Sequence, residues 1–459
     1  MLSTSTAVIR SLLGPLAAAG VGTSSSLFTK SVHGLDVEGH VTKFVDGPSA
    51  SPFARPGGDQ VILVQGGTRK GCTLEEAIDE AREGALILLR PGIHKGPVIL
   101  SQPGVTIGGD ASCSECIIRA GKERVESAHE GARRRYYGTV ICQAQNTKIY
   151  NLTIIWDGPA HVPSIVAGVE GPPQGTAAVV AASGFVSLVN CDIQNAQGSG
   201  VLVRRQADAS IQANRIVACG ASAVSLEAQV SAQVRYNDIL KSGGPGILIV
   251  EGANPLVEGN RIIRGAGVGV QVVTRGLGVI KNNDIALNRR AGVDIRTGGD
   301  PVVERNRLVK NLGGILCAEQ GRGKLLDNTI SSSVTSGISI MSGSVVEATS
   351  NIIGGSQPAV GVMVLDEGTN ATLREHEIQG VTNGIVVAEG AHAEFIHGRI
   401  YHVYEEAVIA RGTHAHTQTH THTHIEFSPE VYTHTHKHTR ARARAHKHTH
   451  DFAEVRGLN

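Results

Sequence analysis

Along residues 190–410, apolar and polar positions alternate in short runs, and the runs return every 23 residues. A small residue opens each run, at Gly200, Ala223, Gly246, Gly269, Gly292, Gly314, Gly337, Gly361, Gly384 and Ala407. The intervals are 23, 23, 23, 23, 22, 23, 24, 23 and 23. Positions one and three after it are aliphatic, as in Ile247 and Ile249, Val270 and Val272, or Val293 and Ile295. A second mark is an Asn two residues before an aliphatic: Asn214, Asn237, Asn260, Asn283, Asn306, Asn328 and Asn351 precede Ile216, Ile239, Ile262, Ile285, Leu308, Ile330 and Ile353. Period-two alternation predicts strands. A repeat this short has no room for a helix of ten or more residues beside two or three strands. The fixed period predicts a solenoid in which each turn buries its apolar side chains on its neighbours. The fold class is therefore all-β, a single-stranded parallel β-helix, with nine or ten stacked turns expected over residues 190–400.

The Asn column predicts scaffold rather than chemistry. Asn tolerates the left-handed backbone of a sharp turn. Stacked about one strand spacing apart, the amides can bond along the stack as a ladder. Outside the core, charges alternate in sign from turn to turn: Arg215, Asp238, Arg261, Asp284 and Arg307 in one column, Arg235, Glu258, Lys281 and Glu304 in another. Opposite charges on adjacent strands favour pairing, so a slip of one turn would set like charges together.

The turns also alternate in wording, with Asn254-Pro255 and Asp300-Pro301 in every second repeat. With the run from Gly292 to Pro301, this resembles the right-handed β-helix repeats of the F-box-only proteins, within the wider pectin-lyase-like superfamily. The resemblance is clearest over 176–400. It implies a right-handed coil and, for function, a substrate-recognition role in the ubiquitination pathway. An F-box needs a helical module of its own, and residues 1–60 show no amphipathic helices.

Upstream of the repeats, Thr73 and Glu76 form a capping box before a stripe of Leu74, Ala77, Ile78 and Ala81, which predicts a helix over 73–83 that plugs the open end of the core. The β-helix domain is expected over 61–411, interrupted by a charged loop at 120–137 and a Pro- and Gly-rich loop at 157–175. Residues 1–60 read as a leader: Leu12–Gly22 fits a signal-peptide core, part of an organellar transit peptide, or a disordered segment. Residues 412–459 form a low-complexity tail in which His alternates with Thr and Arg with Ala.

The net charge of +1 gives no global pull toward nucleic acid or an anionic membrane, and no apolar run reaches the roughly 20 residues of a membrane span. Seven scattered cysteines do not form a disulfide framework, and Cys113 and Cys116 are a lone pair without partners. No cofactor or metal is expected.

Superfamily members include polysaccharide lyases, hydrolases, esterases and epimerases, so acid/base pairs matter. Glycosidases need two carboxylates on one accessible face. In the outward column of the Gly-led strands, no two neighbouring turns both carry an acid. Asp294 and Arg296, beside Gln271, are the one opposed charged pair within a turn, and they are the candidate substrate-binding residues; no catalytic residue is assigned. Aromatics are scarce, Tyr236 being the only one between 190 and 390. The expected function is a non-catalytic recognition scaffold with a protein partner. The alternative is a carbohydrate-active enzyme or carbohydrate-binding protein acting on a polysaccharide.

Overall fold

The computed structural model describes residues 60–66, 72–121, 137–158, 161–166, 169–355, 360–411, 416–419, 424–427 and 453–455. The leader and the 122–136 part of the charged loop lie outside these. The chain coils through three parallel sheets, each turn giving one strand to each. Among the described residues the first sheet, which holds the Gly-led strands, has 13 strands. The second has 16, of which the last, Ala453–Val455, is antiparallel, and the third, which follows the Asn column, has 14. Registers run straight up the stack: Val224 pairs with Ile247, Ile247 with Val270, and Val270 with Val293.

The predicted inward columns fill one continuous core. Val270, Val272, Ile285, Val293 and Ile295 are fully buried. The opening position must be small because two neighbours occupy the space of a side chain. A Cβ on Gly269 would lie 2.4 Å from Ile285 Cγ2 and 2.5 Å from the Gly292 carbonyl oxygen.

All seven ladder asparagines are buried in one line. The backbone N–H and the Nδ2 of Asn214 both donate to Asn237 Oδ1, each at 3.0 Å, while Nδ2 also donates to Leu188 O at 2.9 Å. The pattern repeats as far as Asn328 and Asn351. Cys191 begins the column by donating its N–H to Asn214 Oδ1, and His376 occupies the slot after Asn351. The expectation that Asn itself takes the left-handed conformation is corrected. The residue just before it does, as at Ala213 (φ 53°), Tyr236 (φ 54°), Arg305 (φ 51°) and Ser350 (φ 52°). The physical reason is a division of labour: the turn sends the left-handed residue's side chain out, and the Asn that follows sends its amide in. A second, shorter ladder that sequence reading missed joins Asn288 to Asn311 at the corner between the third and first sheets.

Helix α1 spans Leu74–Glu80 with the capping box formed in both directions. It ends earlier than expected because Ala81 turns extended and its N–H returns to Ile78 O. The Pro- and Gly-rich segment is not a plain loop; its backbone folds as an antiparallel pair, His161–Val166 against Val169–Gly175. In the tail, His416–Thr419 and His424–Phe427 add parallel strands to the second and third sheets beyond the expected boundary at 411. No helix among the described residues is long and apolar enough to cross a membrane.

Candidate functional site

The corner where the first sheet turns into the second is made by residue pairs that both take positive φ, including Ala228-Gln229, Glu251-Gly252, Thr274-Arg275 and Glu319-Gln320. Two successive left-handed residues turn the backbone outward, and the side chains line an open cleft of about 610 Å³. Its walls are Arg205, Gln229, Glu251, Thr274 and Arg275, with Ala228 and Gly252 between them. They come from four successive turns, Thr274 and Arg275 sharing the last, so the cleft runs along the stack with a polar group at about every strand spacing. No aromatic or large aliphatic side chain lines it.

Beside this cleft stand the residues singled out from sequence, and the structure brings them together. Asp294 is the middle residue of a Gly-led strand and is 3% exposed. Arg296 Nε donates to both its oxygens, at 2.8 and 3.0 Å, and Gln271 Nε2 donates at 3.2 Å. Sequence reading missed Glu319. It belongs to the corner rather than to the strand column, so the search for acids in that column passed over it. Arg296 Nη1 donates to it at 3.1 Å, and Thr297 Oγ1 donates to its other oxygen at 3.0 Å. The only signal in the sequence was its spacing of one repeat from Arg296.

Burial pushes the Asp294 carboxyl above its ordinary value; Arg296 and Gln271 pull it back without cancelling the effect. Burial alone would lower Arg296, yet Asp294 and Glu319 hold it above the usual range. Arg296 thus bridges two carboxylates of the chain itself, Asp294 and Glu319, while its side chain stays 35% exposed.

The charge columns outside the core resolve into discrete pairs. Arg215 meets Asp192 at 2.6 Å, Arg261 meets Asp238 at 2.7 Å and Arg307 meets Asp284 at 2.6 Å. Glu258 lies between Arg235 at 3.3 Å and Lys281 at 3.5 Å, while Glu304 turns to Arg305. Five of the seven cysteines are buried, and Cys72 and Cys113 are half-buried. Burial pushes Cys142, Cys191, Cys219 and Cys317 up to about 12, far from thiolate chemistry. Cys113 is raised as well. Among the described residues no group of His, Cys, Asp and Glu is arranged to hold a metal ion.

The family described as the right handed beta helix region matches residues 176–323 and 273–378, two overlapping stretches of the repeat. The coil is thus a right-handed parallel β-helix. Among solved structures, the catalytic unit of an α-1,3-glucanase from Streptomyces thermodiastaticus is 13% identical, covers 79% of this chain and 68% of its own, and has a TM-score of 0.43. An alginate lyase from a Paenibacillus species is 15% identical over 70% of this chain and 96% of its own, with a TM-score of 0.41. A mannuronan C-5 epimerase module from Azotobacter vinelandii is 13% identical over 77% and 90%, also with a TM-score of 0.41. Identities this low carry no residue role across to this chain. No curated protein matches. The finer resemblance to the F-box-only proteins finds no support in these matches.

Proposed function

We propose that this protein is a carbohydrate-binding β-helix, and that a hydrophilic polysaccharide bearing carboxylates lies along the cleft from Arg205 to Arg275. The observation that carries this reading is the cleft itself: open, parallel to the stack and lined once per turn by Arg, Gln, Glu and Thr side chains. Such groups hydrogen-bond hydroxyls and carboxylates. A protein partner would be expected to find aromatic or aliphatic anchors at the centre of its footprint, and the cleft has none. A compact apolar ligand would find nothing to bury against.

The neighbouring network argues for binding rather than turnover. An acid/base mechanism needs two carboxyl groups free to exchange protons with the substrate. Asp294 and Glu319 are both held by Arg296, and Thr297 takes the remaining Glu319 oxygen. The network serves instead as a rigid floor that keeps the adjoining corner in shape.

The test is affinity electrophoresis of the full chain in polygalacturonate, alginate and a neutral glucan, paired with product assays. Retention by the uronate polymers is expected, with a loss of at least about tenfold for Arg205→Ala combined with Arg275→Ala, two charge-assisted contacts being removed. No product is expected. Retention unchanged in the double variant would refute the cleft. Turnover abolished by Asp294→Asn would replace binding by catalysis.

A further inference from the structure

The corner between the third and first sheets lies apart from the cleft and has the opposite charge logic. From residue 196 to 382 the connections at this corner contain no Asp or Glu. They contain Lys241, Arg264, Arg289, Arg290 and Lys310, all exposed. No ion pair links any of the five to an acid among the described residues, although the charge column on the adjacent sheet face is paired off. The net charge of +1 for the whole chain conceals this local excess.

The same corner exposes apolar side chains. Leu287, Leu312 and Val334 are 43%, 44% and 56% exposed. Leu287 has no structural need to be apolar. Leu287 takes the left-handed position that Lys241, Arg264 and Lys310 fill on other turns, so any residue that tolerates this backbone would serve. Next to them on the outer face of the third sheet, Val217, Leu240 and Ile263 form a half-buried aliphatic stripe, followed in register by the buried Ala286 and then by Val309.

We propose that this corner docks on an anionic lipid surface, with its five cations among the headgroups and its leucines at the boundary of the acyl chains. Three features select this occupant. The site is a straight convex edge, the shape that meets a flat surface and not a thread. Residues 241 to 310 span four turns, or about 15 Å at one strand spacing per turn, so their charges act together within roughly two Debye lengths. A bound acidic strand would present like side chains about 6.6 Å apart, out of step with turns about 4.8 Å apart. A soluble polyanion would satisfy the cations and leave Leu287, Leu312 and Val334 in water. A lipid surface uses both sets at once, electrostatic attraction and apolar contact adding as they do for interfacial helices.

The experiment is co-sedimentation of the full chain with phosphatidylcholine vesicles, with and without phosphatidylserine, over a salt series. Binding that requires phosphatidylserine and weakens with salt is expected. Arg289→Glu combined with Arg290→Glu should reduce partitioning by at least about tenfold, each cation near the surface contributing several-fold. Leu287→Ser combined with Leu312→Ser should reduce it less and leave the salt dependence in place. Arg205→Ala with Arg275→Ala should bind vesicles as the parent does, which keeps this outcome separate from the carbohydrate reading. Absence of phosphatidylserine-dependent binding overturns the proposal, as does binding indifferent to the double Glu substitution. Heparin binding lost in the Glu variant, with vesicle binding indifferent to the Leu substitutions, would assign the corner to a soluble polyanion instead.

Discussion

Two corners of the same repeat unit have been put to opposite uses. At the corner between the second and third sheets, one residue type recurs for seven turns and all its polar atoms are bonded inside the stack. At the corner between the third and first sheets, the equivalent left-handed positions read Ala218, Lys241, Arg264, Leu287, Lys310 and Ser332, with no fixed type. The backbone is left-handed at both. A side chain that points in is dictated by its neighbours one turn above and below, so it must repeat. One that points out is constrained by water alone and is free to carry recognition.

The sharpest way to break this comparison is to truncate the middle of the Asn column. Asn283 Oδ1 accepts from the N–H and the Nδ2 of Asn260, at 2.9 and 3.0 Å, and its own Nδ2 donates to Val257 O and Asn306 Oδ1. Asn283→Ala leaves at least two buried donors without an acceptor. Each costs about 1–3 kcal/mol, so a loss of about 3–5 kcal/mol is expected in urea unfolding. Hydrogen exchange should rise first in the turns on either side. A loss below about 1 kcal/mol would mean that the ladder is decoration on a fold held by its aliphatic core.

This contrast also explains what the sequence made legible. The period, the inward columns, the ladder and the capping box were all readable because buried positions repeat or follow fixed local chemistry. The cleft was not readable, because its two columns change residue type from turn to turn, Arg205, Ala228, Glu251 and Thr274 in one and Gln229, Gly252 and Arg275 in the next, and no pattern joins them. Glu319 was missed for the same reason. Gln271, Asp294 and Arg296 were found as neighbours in register, but their mutual bonding decides their role, and register alone does not show whether Arg296 faces a ligand or Asp294. The hairpin at 161–175 was hidden behind Pro and Gly, which read as loop wherever no period surrounds them.

The end of the ladder offers a pH test. His376 fills an Asn slot, is fully buried and has Nε2 without a partner, while Nδ1 lies 3.3 Å from Asn351 O. Burial pushes its pKa down to about 4, against about 6.5 for a free His. The unfolded chain therefore takes up a proton before the folded one does. The contribution of the neutral ring is fully present above about pH 6.5 and is lost as pH falls through about 4, by about 3 kcal/mol in all at roughly 1.4 kcal/mol per unit. His376→Asn should remove this component and extend the ladder by one rung. The difference in unfolding midpoint between parent and variant, followed from pH 8 to 4, should widen as pH falls; a constant difference would show that the ring is not buried neutral.

A smaller effect is expected on the outer face of the third sheet. Arg261 pairs with Asp238 at 2.7 Å and stands in register with Asp284 one turn on. Arg261→Asp sets three acids in a row. Exposed pairs contribute about 0.2–1 kcal/mol each, so a loss of about 1–2 kcal/mol is expected in low salt, partly recovered by adding Asp238→Arg. Stability equal to the parent in low salt would show that the alternating signs do not set the register.

The smallest change in stability should come from the cationic corner, and that smallness is the point of the comparison. Arg289 and Arg290 are exposed. Their backbones bond along the stack, Arg289 N–H to Gly265 O at 2.9 Å and Leu312 N–H to Arg290 O at 3.1 Å, and neither bond involves an arginine side chain. Arg289→Glu with Arg290→Glu should leave the unfolding midpoint within about 0.5 kcal/mol of the parent, as for surface changes away from any special feature. A slight gain is the expected sign, because two anions placed near Lys241, Arg264 and Lys310 relieve repulsion among cations that have no acid beside them. Such a gain should shrink in high salt, since the separations involved are of the order of the roughly 10 Å Debye length. A loss of several kcal/mol would mean that these arginines belong to the scaffold after all, and the division between a repeating inner corner and a free outer one would fail where it is most exposed.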